Sequence, residues 1–121
     1  TGGGDPGNTE RSQDKDNFVL LLDALHTVLN ADGHHYLLTF ALGADDNNYQ
    51  PLAWDKIAPL VDRVNVMTYD MAGEWSTVTG FNAPLYDSQF NPPEGVSDDR
   101  AIQGILAKGV PPEKLVMGVP F

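Results

Sequence analysis

A phenol, a carboxylate and an indole lie within seven residues of one another in Tyr69, Asp70 and Trp75, with Gly73 between them. Together they suit a carbohydrate. An indole face packs on the apolar face of a pyranose, while phenol and carboxylate hydrogen-bond its polar substituents. The same residues also make sense as a core tyrosine, a loop opener and a packing anchor. On residue types alone that structural reading is the favoured one, because buried Tyr and Trp commonly just find partners.

Position along the chain changes the balance. Arg63 to Tyr69 (RVNVMTY) reads as a strand in which Val64, Val66 and Thr68 face one way and Asn65, Met67 and Tyr69 the other. The branched set suits a layer beneath packed helices, and the polar and bulky set points to the opposite face. Two further runs read as buried strands: Tyr36 to Ala44 (YLLTFALGA), whose nearly continuous apolar character marks a strand buried on both faces, and Leu115 to Val119 (LVMGV).

Helical segments separate these strands. From Asp16 to Asn30 the residues Phe18, Leu21, Leu22, Leu25, Val28 and Leu29 form one apolar stripe, with Asp14 and Asp16 at its start and Gly33 as a stop. Pro51 opens a short helix through Leu60, burying Trp54, Ile57 and Val61, with Pro59 limiting its length. Ser97 caps a third helix with Asp98 and Asp99 in its first turn and Ile102, Ile105 and Leu106 buried, ending at Gly109 before Pro111 and Pro112. Residues 1–14 read as a loop. Residues 71–96 carry no periodicity, and a loop of that length is usually functional or disordered.

Helices alternating with apolar strands imply right-handed crossovers and a parallel sheet. The fold class is therefore α/β. Three parallel strands leave edges unpaired and a face uncovered, so a fragment of a (β/α)8 TIM barrel fits better than a complete domain. The start at Thr1 and the finish on the apolar run GVPF agree with an internal piece. A doubly wound sheet is the main rival, but no Gly-rich phosphate loop follows any strand. In a barrel the site lies at the C-terminal strand ends. That rule selects Ala41 to Ala44, then Met67, Tyr69 and Asp70, then Pro120 and Phe121.

Composition narrows the partners. Of 121 residues, 17 are acidic and 7 basic, a formal charge of −10. Nucleic acid and anionic membrane surfaces are disfavoured, while a neutral sugar meets no penalty. No apolar stretch approaches the length of a spanning helix, and TGGGDPGNTE has no signal-peptide pattern. The chain has no cysteine and hence no disulfide. No metal or cofactor is expected. His34 and His35 are neighbours in a turn and His26 is on a helix, so a solvated pair is the better reading than zinc. Residues 44–48 (ADDNN), with Asp87, lack EF-hand spacing and read as a loop.

The run VNVMTYDMAGEW resembles the strand-6 signature of glycoside hydrolase family 18, Met-x-Tyr-Asp followed by Gly and often an aromatic. GNTERSQDKDNFVLLLDAL is similar to the segment leading into that family's fourth barrel helix and YLLTFALGA to its fifth strand. GVPPEKLVMGVPF is similar to the approach to its seventh strand, and TGFNAPLY to bacterial chitinase sequence after strand 6. The resemblance covers essentially the whole of residues 1–121, which would be a partial catalytic domain spanning about strands 5 to 7.

The resemblance also implies roles. Tyr69 matches the residue that contacts the substrate's N-acetyl group, and Asp70 the acid that hydrogen-bonds sugar near the scissile bond. Met67 and Ala41 match pocket-lining positions, and Trp75 an aromatic that stacks on the leaving-side sugar. The implied parent is a secreted endo-acting chitinase that binds chitin or chitooligosaccharide and uses substrate-assisted retaining hydrolysis. The family's Asp-x-x-Asp-x-Asp-x-Glu run is absent here, and neither Glu74 nor Glu94 matches it. The 121 residues alone are thus expected to be inactive, with the proton donor upstream. Rival readings are a chitinase-like lectin, an endo-β-N-acetylglucosaminidase acting on N-glycans, and a barrel unrelated to sugars.

Overall fold

Three apolar runs lie side by side as one sheet. In the computed structural model, which describes residues 7–89 and 96–121, these are β1 (Thr39–Gly43), β2 (Arg63–Met67) and β3 (Leu115–Met117), in the order β1-β2-β3. Both pairings are parallel, as the alternation of elements requires. Phe40 and Leu42 are in register with Val64 and Val66, and Gly43 with Met67. Register partners share a face. Val64, Val66 and Thr68 are fully buried, while Asn65 and Met67 are exposed, so the expected two-sidedness of this strand holds.

All three strands are shorter than their apolar runs. Tyr36 and Leu37 lie outside the ladder and are exposed. Next to them Leu38 N donates to the Asp62 carboxylate (2.8 Å) while Asp62 N donates to Leu38 O (2.8 Å). This reciprocal pair, with a side chain in it, marks the start of β1 and β2. At the other end Thr68 N turns back onto Val66 O (3.0 Å), which ends β2 before Tyr69.

Helix α1 (Asp14–Leu29) begins with the two aspartates expected there. Its stripe is only partly used. Leu22 is buried and Phe18 and Leu29 pack against the core, but Leu21, Leu25 and Val28 are exposed. Only one edge of the stripe meets the sheet, through the edge-on contact of Phe18 with Phe40 (5.3 Å between ring centres). No described residue covers the remainder.

Two corrections concern the segment between β1 and β2. Residues 46–49 are a helical turn rather than a loop: in α2 (Asp46–Tyr49), Asp45 caps the turn by accepting from Asn47 N (2.7 Å). Tyr49 at its end is buried, donates its hydroxyl to Asp46, and lies against Gly104. The helix expected from Pro51 to Leu60 is the single turn α3 (Trp54–Ile57). Ala53 O receives the first bonds, from Lys56 N and Ile57 N, so Pro51 lies before the helix, and Pro59 has no N–H to prolong it. Trp54, Ile57 and Val61 are buried as expected, and Trp54 Nε1 donates to Tyr49 O (2.8 Å).

Helix α4 (Asp98–Leu106) is capped by Ser97, whose hydroxyl accepts from Arg100 N (3.2 Å). Of its expected stripe Ile105 is fully buried and Ile102 and Leu106 are half-buried, and Ala101, which was not expected there, is buried with them. Gly109 has φ +85°, the left-handed conformation that glycine adopts without penalty. The turn Pro112–Lys114 then leads into β3, and Lys114 Nζ donates to Ala58 O (2.7 Å) and Val61 O (2.8 Å), tying it to the end of α3. Residues 71–89 contain no helix or strand.

Candidate functional site

The C-terminal end of β2, the central strand, opens into a cleft of about 370 Å³. Met67, the last strand residue, Tyr69, Asp70 and Trp75 all line it. Gly43 and Ala44 at the end of β1, Asp45 and Asn48 from α2 and its cap, Met71, and Val96 before α4 complete the wall. Ala41 is not in this cleft. It lines an adjoining hollow of about 280 Å³ that shares Gly43, Asn48 and Met67 with it. Pro120 and Phe121, at the end of the sheet's edge strand, are exposed and outside both.

Local packing sets where each ring stands. A Cβ on Gly118 would lie 2.8 Å from Tyr69 Cε1 and 2.8 Å from Val66 O, so the bare glycine allows the Tyr69 ring to rest against the start of the segment after β3. The same segment is fastened by Thr68 Oγ1, which donates to Gly118 O (2.7 Å), and by Gly118 N, which donates to Val66 O (2.9 Å). Thr68 faces the core, while Tyr69, beyond the end of the strand, lines the cleft. Trp75 stands 64% exposed with its six-membered ring over Gly73, where a Cβ would come within 2.7 Å of three of its atoms. An exposed indole face is a stacking surface.

Asp70 has φ +58°, the left-handed region that Asp tolerates better than most side chains. This turns the chain sharply after Tyr69 and sets the carboxylate at the cleft mouth. There Asp70 Oδ1 accepts from Asn82 Nδ2 (3.1 Å), while Met71 N donates to Asn82 O (2.9 Å). Two residues further on, Pro84 O and Leu85 O accept from Asp98 N (2.9 Å) and Asp99 N (3.0 Å). The segment 82–85 thus joins the end of β2 to the first turn of α4. Burial pushes the Asp98 carboxyl above the usual carboxylate range.

The expected group of Met67, Tyr69, Asp70 and Trp75 is brought together, with Ala41 beside it. The residues that spacing did not single out are Asp45, Asn48 and Asn82. The first two lie one and four residues after Ala44, so extending the strand-end rule by one helical turn would have reached them. Asn82 lay inside TGFNAPLY, quoted for its resemblance and not for its chemistry.

Two of the three histidines have carboxylate neighbours: His35 Nε2 lies 2.9 Å from Asp62 Oδ1 and His34 Nδ1 3.4 Å from Asp32 Oδ2. Among the described residues no group of three His, Cys, Asp or Glu side chains could hold a metal ion, and no helix is long and apolar enough to cross a membrane. Glu74 is exposed, and Glu94 lies outside the described residues.

The sequence profile of Glycosyl hydrolases family 18 matches residues 4–121. The chain belongs to that family. It is 42% identical over 98% of its length to Chitinase A1 of Niallia circulans, of which it spans 18%. Among solved structures it superposes on chitinase ChiA74 of Bacillus thuringiensis with TM-score 0.88 and 39% identity, covering 96% of this chain and 20% of that one. It superposes on the Group IV chitinase of Ostrinia furnacalis, solved in complex with allosamidin, with TM-score 0.83 and 38% identity, over 97% of this chain and 32% of that one. The family 18 chain therefore spans a third or less of each of these relatives.

Proposed function

We propose that these residues are the part of a family 18 chitinase that positions an N-acetyl sugar for cleavage, corresponding to about strands 5 to 7 of a (β/α)8 barrel. One observation carries this reading: Met67, Tyr69, Asp70 and Trp75 line a single cleft at the C-terminal end of a central parallel strand. The parent enzyme hydrolyses β-1,4-linked N-acetylglucosamine polymers, is secreted, and takes chitin or chitooligosaccharide as substrate.

The chemistry divides between this segment and the rest of the parent. A glutamic acid outside these 121 residues protonates the glycosidic oxygen. As that bond breaks, the substrate's own acetamido oxygen bonds to the anomeric carbon and the leaving sugar departs with the proton. Water then opens the cyclic intermediate from the opposite side, returning its proton to the carboxylate, so the anomeric configuration is retained. Tyr69 orients the acetamido group and hydrogen-bonds it as charge develops. Asp70 hydrogen-bonds the same sugar. Trp75 stacks on the leaving-side sugar, and Met67 and Ala41 shape the pocket. None of these transfers the proton; they supply orientation and electrostatic stabilisation.

The test uses the full-length parent with N-acetylglucosamine oligomers and their fully deacetylated counterparts. The acetylated oligomers are hydrolysed with retention, read as the first-formed anomer by NMR, and the deacetylated ones are not. Equal hydrolysis of both, or inversion, contradicts the assignment.

A further inference from the structure

Asn82 is the one described side chain that grips the Asp70 carboxylate, and it does so from a loop twelve residues away in sequence. Its backbone carbonyl holds Met71 N at the same time, so a single residue fixes both the carboxylate of Asp70 and the peptide that follows it. Asp70 needs such a hold. It lies three residues beyond the end of β2 with a left-handed backbone, where no strand neighbour restrains its side chain. The adjoining residues Pro84 and Leu85 are anchored in turn on the first amides of α4, which makes Asn82 a fixed post rather than a free loop residue.

We infer that Asn82 is a positioning residue for the sugar site, acting through Asp70 by donating its side-chain amide to one carboxylate oxygen and leaving the other for substrate. This rests on the role assigned to Asp70 above. An acidic oxygen bound by one amide keeps lone pairs for a second donor, so Asn82 and a sugar hydroxyl or amide can be accepted together. The side-chain donor matters for this role, whereas the carbonyl bond to Met71 survives any substitution at position 82.

The experiment is a double-mutant cycle in the full-length parent, with Asn82→Ala, Asp70→Ala and the double variant, read as kcat and KM on a chitooligosaccharide. Asn82→Asp is measured beside them, because it keeps the size of the side chain and removes the donor. Asn82→Ala is expected to lower kcat/KM roughly tenfold, the effect of one hydrogen bond to a charged group, and Asn82→Asp by at least as much, because its carboxylate also repels that of Asp70. In the Asp70→Ala background the further loss from Asn82→Ala is expected to vanish, within about twofold. The backbone cost of Ala in the left-handed region at position 70 is common to both arms and cancels.

A full tenfold loss in both backgrounds, or wild-type kinetics of Asn82→Asp, overturns the proposal. Should Asn82→Ala not fold, the same comparison is made with Asn82→Asp in the two backgrounds. If Asp70→Ala itself leaves kcat/KM unchanged, the reading of the sugar site fails, which is a different result from an additive cycle with an active Asp70.

Discussion

Asp62 does at the entry end of the sheet what Asp70 does at its exit: a carboxylate beside the central strand holds a neighbouring segment. Its Oδ2 accepts from Leu38 N (2.8 Å) and its Oδ1 meets His35 Nε2 (2.9 Å). The Leu38 amide holds the Asp62 carboxyl below its usual range, with His35 and Lys114 adding to this against the effect of burial. A lowered native value means that the stabilisation is complete above the unfolded carboxylate pKa of about 4 and is lost as pH falls through the lower native value. Asp62→Ala leaves Leu38 N without its acceptor and is expected to cost about 1–3 kcal/mol in urea unfolding of the parent at neutral pH. The difference from wild type shrinks as pH falls below about 4, as the carboxyl is protonated first in the unfolded chain and then, at its lower value, in the native one. A constant difference down to pH 2 contradicts this. His35 is well exposed, so its ion pair adds little. Tyr69 and Asp70 were legible in the sequence because the strand-end rule of a barrel and the Met-x-Tyr-Asp resemblance both fall on them. Asn82 was not, because its role depends on a loop folding back across twelve residues, and no spacing encodes that.

Strands were legible from their apolar runs, and the parallel order followed from the alternation of elements. Faces were legible only in β2: β1 and β3 read as buried strands, whereas Thr39, Ala41, Val116 and Met117 are exposed because no described element covers them. Helix stripes were legible only in outline, since which edge is buried depends on what packs there. Leu21, Leu25 and Val28 satisfy the periodicity of α1 yet stand in the open. The turn α2 escaped notice because four residues carry no period; its cap Asp45 and its buried Tyr49 hold it instead. The contact between the β3 exit and β2 was equally hidden, although the sequence shows Gly118 plainly. Gly118→Ala places a Cβ against the Val66 carbonyl and the Tyr69 ring. Backbone cannot swing aside, so a loss of about 1–3 kcal/mol is expected, with lower turnover from the displaced ring. Gly73→Ala, which meets only the free-standing indole of Trp75, serves as its comparison and leaves the unfolding midpoint of the parent nearly unchanged. Equal midpoints for Gly118→Ala and wild type contradict the packing described for Tyr69.

At the scale of the molecule, two apolar surfaces lack cover among the described residues: the outer stripe of α1, and the side of the sheet that presents Met67 and Val116. In a barrel both face neighbouring elements. The 121 residues alone are therefore expected to melt broadly, without a cooperative transition, and to bind a hydrophobic dye. A sharp two-state transition of a monomer in calorimetry contradicts that expectation. The surplus of acidic over basic residues sets no penalty on the uncharged sugar polymer proposed as substrate, and the cleft brings together a phenol, a carboxylate and an indole. The central claim is that this segment positions the N-acetyl group, and Tyr69→Phe in the full-length parent tests it most directly. Removing that one hydroxyl is expected to lower kcat on chitooligosaccharide at least roughly tenfold, the effect of losing one stabilising donor, while the binding constant changes by less than about threefold. Unchanged turnover, or a loss confined to binding, contradicts it.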